Sequence, residues 1–195
     1  MDDKKIVNDL KEIVIAALLS EGDFDSYSSK SNILKVPFDK KKSLYLAELI
    51  SCSNLKPYIN IDLKKGQFNI HSHQVLETLR NQWFRKQTKV FSTVLDPGLL
   101  SLQSIILSIN LFGTRKVGSI SIPTNIDKDF LRAVCYCMEY HLKVPVIPSV
   151  NHIKITNIPK LILNSMAFLP AIHSAEFVNF LTVKEKKQIM GEAII

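Results

Sequence analysis

The sequence predicts an α+β fold built from two similar halves. Three observations carry this. The order helix, glycine, strand, helix, hairpin, helix occurs twice along the 195 residues. Each half opens on an apolar helix that closes at a glycine, Gly22 or Gly113. Each first strand ends in an aliphatic–proline pair, Val36-Pro37 or Ile122-Pro123, with a helix following at a comparable distance.

In the first half, residues 5–21 place Ile6, Leu10, Ile13 and Ala17 at helical spacing and stop at Gly22. A Ser-rich loop, SYSSKSN, leads to the strand ILKVPFD and the helix KKSLYLAELIS. In PYINIDL, Ile59, Ile61 and Leu63 alternate with Asn60, Asp62 and Lys64, the period of a half-buried strand. A KKG turn joins it to QFNIHS, and the helix QVLETLRNQWF closes the half.

Asp96-Pro97-Gly98 is the natural turn between the halves. The second half runs through helix LLSLQSIILSINLF, strand VGSISIPTN and helix DKDFLRAVCYCMEYHL. Hairpin VPVIPSV–NHIKITN and helix PKLILNSMAFL complete it. Beyond Pro170 the chain becomes more polar, as expected of an extra helix or a loosely held tail. The expected division is a first lobe at 1–95, a second at 96–175 and a C-terminal extension at 176–195.

A composition of 46% apolar and 22% charged residues describes a packed globule and argues against disorder. The longest apolar runs are too short to span a bilayer, and MDDKK has no apolar leader region, so neither membrane nor secretory system is expected. Three cysteines, Cys52, Cys135 and Cys137, fit a reducing intracellular compartment. The net charge of +7 favours a polyanionic partner, nucleic acid first. Lysine, Ile and Asn richness suits an AT-rich genome.

The stretch IVIAALLSEG sets small residues along a helix and an acid, Glu21, just before its closing glycine. An acid at a helix C-terminus is mildly unfavourable to the macrodipole, so folding alone does not ask for it. With IILSINLFG in the second half, this pattern resembles the two signature motifs of the LAGLIDADG homing-endonuclease family, in its single-chain form. The resemblance covers roughly residues 5–175. It implies two pseudo-symmetric αββαββα-type lobes, paired central helices and a saddle of antiparallel sheet on nucleic acid. It also implies that Ala16, Ala17, Gly22, Ser104, Ser108 and Gly113 line the contact between lobes. Glu21 would be the one surviving acid, catalytic and metal-binding only if the protein cuts, with Mg²⁺ as its only cofactor. The family resemblance, and not composition, also implies an organelle such as the mitochondrion, a phage or a bacterium.

The second motif departs from the family. Phe112 stands where the second acid belongs, and no Asp or Glu lies between Asp96 and Asp127. After ILNSM no Lys or Arg follows until Lys184, so a supporting base is also missing there. Double-strand cutting is therefore not expected. The resulting expectation is a noncatalytic nucleic-acid binder, RNA favoured over DNA, such as an intron maturase or a ribonucleoprotein or organellar ribosome subunit with other proteins around it. The alternatives are a DNA nickase or endonuclease using Glu21, and a DNA-binding regulator.

On that saddle the expected contacts from the first lobe are Lys35, Asn60, Lys64, Lys65, Gln67, Asn69 and His71. Those from the second are Arg115, Lys116, Ser121, Asn151, His152 and Lys154. Amides, hydroxyls and lysines suit phosphate contact and base-edge hydrogen bonding. Arg80, Arg85, Lys86 and Lys89 are expected to touch phosphate, while Trp83 and Phe84 between them read as core. His71 and His73 would share a strand face, with no further ligand at a metal-site spacing.

Overall fold

The computed structural model describes residues 3–24, 33–71, 73–91 and 96–192. The first lobe runs α1 (Asp3–Leu19), β1 (Asp23–Phe24), β2 (Leu34–Pro37), α2 (Ser43–Cys52), β3 (Ile59–Asp62), β4 (Gln67–Ile70) and α3 (Gln74–Trp83). A two-stranded ribbon, β5 (Phe84–Arg85) with β6 (Thr88–Lys89), follows. The second lobe runs α4 (Leu102–Phe112), β7 (Thr114–Lys116), β8 (Ser119–Pro123), α5 (Lys128–Leu142), β9 (Val146–Ser149), β10 (His152–Thr156) and α6 (Ile158–Met166). Two further helices, α7 (Ala171–Val178) and α8 (Val183–Glu192), end the described chain.

Both lobes are thus αββαββα, and their sheets share one topology: β1-β2-β4-β3 and β7-β8-β10-β9, antiparallel throughout. The sequence pattern missed the short strands β1 and β7. Two or three residues straight after a helix are too few for period-2 alternation to register. The expected loop SYSSKSN lies outside the described residues. The C-terminal segment holds two helices where one extra helix or a loose tail was expected.

Helices α1 and α4 pack against each other at the centre of the molecule. Buried from Leu10 onward on nearly every side, α1 shows why a central helix loses the usual polar face. Ala16, Ala17, Ser104 and Ser108 are fully buried, small enough for two backbones to come close. Gly22 and Gly113 end the pair under the same constraint. A Cβ on Gly22 would lie 2.6 Å from the Ala17 carbonyl oxygen. On Gly113 it would lie 2.3 Å from the Ile109 carbonyl oxygen and 2.9 Å from Ile120 Cγ2.

Polar groups are built into this core. Ser101 caps α4 by accepting from the Ser104 amide at 2.9 Å, while its hydroxyl donates to the buried Glu12 carboxylate of α1. Asn110 of α4 donates to Tyr45 Oη of α2 at 3.2 Å, and Tyr45 Oη lies 2.8 Å from His173 Nδ1 of α7. The second proton of the Asn110 amide goes to the His173 carbonyl at 3.1 Å. This chain ties α2 of the first lobe, α4 of the second and α7 together. Ion pairs Lys42–Glu176 at 2.5 Å and Arg115–Glu185 at 2.8 Å fasten α7 and α8 to the first and second lobes respectively.

Candidate nucleic-acid interface

Alternation along the paired strands sorts each sheet into an apolar face and a polar one. In the first lobe Phe24, Leu34, Ile70 and Ile59 form one cross-strand row on the core side, and Val36, Phe68 and Ile61 another. The opposite face carries the row Asp23, Lys35, Asn69, Asn60 and the row Pro37, Gln67, Asp62. Gln67 donates to Asn69 at 2.6 Å, so two of the amides are already coupled. Lys64 and Lys65 sit exposed at the hairpin tip, Lys65 being 3.8 Å from Asp62, and His71 is exposed just beyond β4.

In the second lobe the polar face holds the rows Thr114, Ser121, Lys154, Ile147 and Lys116, Ser119, Thr156, with Pro123, His152 and Ser149 beside them. Lys116, Lys154, His152 and Asn151 are exposed. Asn151 takes the left-handed conformation (φ 54°) that its turn requires. The charge on the two faces is unequal. Asp23 and Asp62 accompany Lys35 on the first, whereas the strands of the second carry lysines and a histidine and no acid.

Four expected contacts are not available at the polar faces. Arg115 pairs in register with core-facing Ile120, so its guanidinium points under the sheet to Glu185. Ser121 is on the polar face but 5% exposed, closed over between its cross-strand neighbours. Arg80 is half-buried with its guanidinium 5.1 Å from the Phe24 ring. Lys89 departs furthest. It is 3% exposed, and its Nζ donates to the carbonyls of Leu18 (3.1 Å), Ser20 (3.0 Å) and Gly22 (2.5 Å). It caps the C-terminus of α1, where carbonyls lack helical partners and a cation is favoured. Burial pushes its ammonium down to about 7, against the opposing pull of Asp23 and Glu21.

Arg85 is exposed and donates to the carbonyls of Asn81 and Phe84 at 3.2 Å, and Lys86 is exposed in a left-handed turn (φ 58°). Trp83 is buried against Phe91 and Phe84 is half-buried edge-on to Phe24. His73 does not pair with His71. It caps α3, accepting from the Val75 amide at 3.2 Å, with its ring edge-on to Tyr58. Cys135 and Cys137 are both buried, and burial pushes the Cys135 thiol up to about 12.

Glu21 lies two residues past the end of α1, in the turn, exposed on the wall of a cavity of about 230 Å³ between the lobes. Phe38, Asp39, Lys42, Phe112 and Thr114 share that wall. Phe112 is buried, and its ring stacks on Phe68 of the first lobe. Asp39 is committed to the Lys41 amide at 3.0 Å. Among the described residues no three His, Cys, Asp or Glu side chains come together as a metal site.

Glu12, Lys89 and the Asn110–Tyr45–His173 chain were not legible beforehand as a polar framework. Their partners stand 89, 67–71 and 63–128 positions away in the chain, and no local spacing records such pairings.

No protein-family model matches this chain, and no curated protein matches it in sequence. Solved structures do match. The homing endonuclease I-WcaI, bound to its DNA recognition sequence, superposes with a TM-score of 0.59 at 11% identity, over 89% of this chain and 86% of that one. Full-length DUF199/WhiA from Thermatoga maritima superposes with a TM-score of 0.50 at 14% identity, over 95% of this chain and 66% of that one. At these identities the likeness is one of fold, and the fold is homing endonuclease-like.

Proposed function

We propose that this protein binds nucleic acid across the polar faces of its two sheets and does not cut both strands of a duplex. The observation that carries the reading is the paired sheet faces themselves. They are polar, rich in amide, hydroxyl and lysine side chains, and displayed on a homing endonuclease-like frame with net charge +7. Such groups supply phosphate contacts and base-edge hydrogen bonds. The solved homing endonuclease of similar fold is bound to DNA.

The chain descends, on this reading, from a LAGLIDADG enzyme whose second acid has been replaced. Phe112 is packed into the first lobe, and Glu21 has no partner acid from the second motif. The finer reading is an RNA ligand, with the protein serving as a maturase-like or ribonucleoprotein scaffold. It is supported by retention of the frame without a paired catalytic centre.

The experiment measures binding of a 20-base-pair DNA duplex and an RNA duplex across 50–200 mM salt. Binding that weakens steeply with salt, unaltered by Glu21→Gln, supports the reading. Retention of the RNA over the DNA supports the finer one. Mg²⁺-dependent strand cleavage that disappears in Glu21→Gln overturns the noncatalytic reading, and salt-insensitive or absent binding overturns the whole.

A further inference from the structure

The outer face of α5 carries four side chains that the sheet faces do not use. Arg132, Tyr136, Tyr140 and Lys143 follow one another at spacings of four, four and three, which aligns them on a single stripe of the helix and its cap. All four are exposed, the two tyrosines by 54% and 53%.

The stripe borders a cleft of about 390 Å³ lined by Tyr136, Glu139, Tyr140, Lys143, Val144 and Pro145, within the size range of small-ligand sites (about 300–1,000 Å³). Lys143 is held in place. It is the left-handed cap of α5 (φ 56°), and its Nζ lies 4.2 Å from the Tyr140 ring centroid. Glu139 is the acid of the cleft. Its Oε2 accepts from the Val146 amide at 3.1 Å, tying the carboxylate to the start of β9. The floor at Val144 and Pro145 runs directly into β9, the edge strand of the second sheet.

We infer that this cleft is a second nucleic-acid site, one that takes unpaired nucleotides by stacking bases on Tyr136 and on the face of Tyr140 opposite Lys143, while Arg132 and Lys143 meet the phosphates. Base stacking on aromatic side chains with cations along the strand is the chemistry by which single strands are held. Paired bases cannot offer their faces in this way, so the site selects single strands, whereas the sheet faces suit a duplex. It is separate from the proposed duplex surface, and each can fail without the other.

The test uses the full chain and two fluorescein-labelled probes, a 12-nucleotide mixed-sequence single-stranded RNA and a 20-base-pair duplex, read by anisotropy. With both stacking rings removed, Y136A/Y140A weakens single-strand binding about tenfold or more and leaves the duplex unchanged. Y136F/Y140F keeps single-strand binding, because the ring and not the hydroxyl does the stacking. Lys116→Ala with Lys154→Ala gives the converse pattern. The inference is overturned if the wild-type chain does not bind the single strand, if Y136A/Y140A binds it as wild type does, or if the phenylalanine variant loses as much as the alanine one. A single-stranded DNA probe of the same sequence then separates the two sources of unpaired nucleotides. Both tyrosines are half exposed, so melting temperatures matching wild type certify that the variants fold.

Discussion

Phe112 lies nearly flat on Phe68, ring centroids 6.4 Å apart and planes 13° apart, although the two residues belong to different lobes. The C-terminal end of α4 is therefore closed by an aromatic contact with the sheet of the first lobe. A second acid could not simply be put back. Phe112→Glu buries a carboxylate against Phe68 with no cation beside it among the lining residues but Lys42, itself paired to Glu176. The expected outcome is a loss of stability of about 3 kcal/mol or more, read by denaturant unfolding, with no gain of double-strand cleavage.

Lys89 is the stabilising counterpart at the other central helix. Lys89→Met keeps most of the side-chain volume but leaves the carbonyls of Leu18, Ser20 and Gly22 without their donor. A loss of about 1–3 kcal/mol is expected. Amide hydrogen exchange should accelerate in the last turn of α1 first, and an unchanged rate there would contradict the capping role.

His173 gives the protein a pH dependence. Burial lowers its pKa below 6.5, with Asp9 opposing, and the neutral ring suits the hydroxyl of Tyr45 at Nδ1. A depressed folded pKa contributes stability that is present above the unfolded value and lost as pH falls. Unfolding free energy should therefore decline below about pH 6.5, by no more than about 1.4 kcal/mol per pH unit from this one group, and the melting temperature should fall with it. His173→Gln flattens that part of the profile.

Gly113→Ala tests the close approach at the end of α4. The backbone there is ordinary (φ −67°), so only the clash with the Ile109 carbonyl and Ile120 Cγ2 opposes the methyl group. About 1–3 kcal/mol of destabilisation is expected. Gly98→Ala, whose Cβ would meet only the Asp96 side chain, at 3.1 Å, serves as the mild comparison in the same melting experiment.

Lys116→Ala and Lys154→Ala test the sheet face. Each should lower duplex affinity across sequences and reduce the slope of log affinity against log salt by about 0.9. An unchanged slope in both would remove the second sheet from the interface.

The duplicated order of elements, both hairpins and the small-residue faces of α1 and α4 could be read from the sequence, because period, glycine and proline are local signals. The pairing of β2 with β4 and of β8 with β10 joins strands that are not consecutive, and the alternation within each strand assigns its faces but not that partner. What could not be read depends on contacts distant in sequence. Lys89 looked like one more cation of a basic cluster, because nothing within ten residues announces the α1 carbonyls it serves. Arg115 and Lys116 are adjacent and alike in composition, yet a single step along β7 sends one under the sheet and leaves the other above it. Composition also says nothing of Ser121, whose burial is set by its cross-strand neighbours.

The unequal charge of the two sheet faces gives the molecule a direction. A dimer of identical halves can be turned end over end on its target without any change in fit. A single chain whose one face mixes Asp23 and Asp62 with Lys35, while the other carries Lys116, Lys154 and His152, has a front and a back. On the proposed nucleic-acid target, where its sequence or shape is uneven, only one of the two ways round would bring the cationic face to the place that wants it. Duplication within one chain thus gives a two-fold frame a direction that two identical halves would lack.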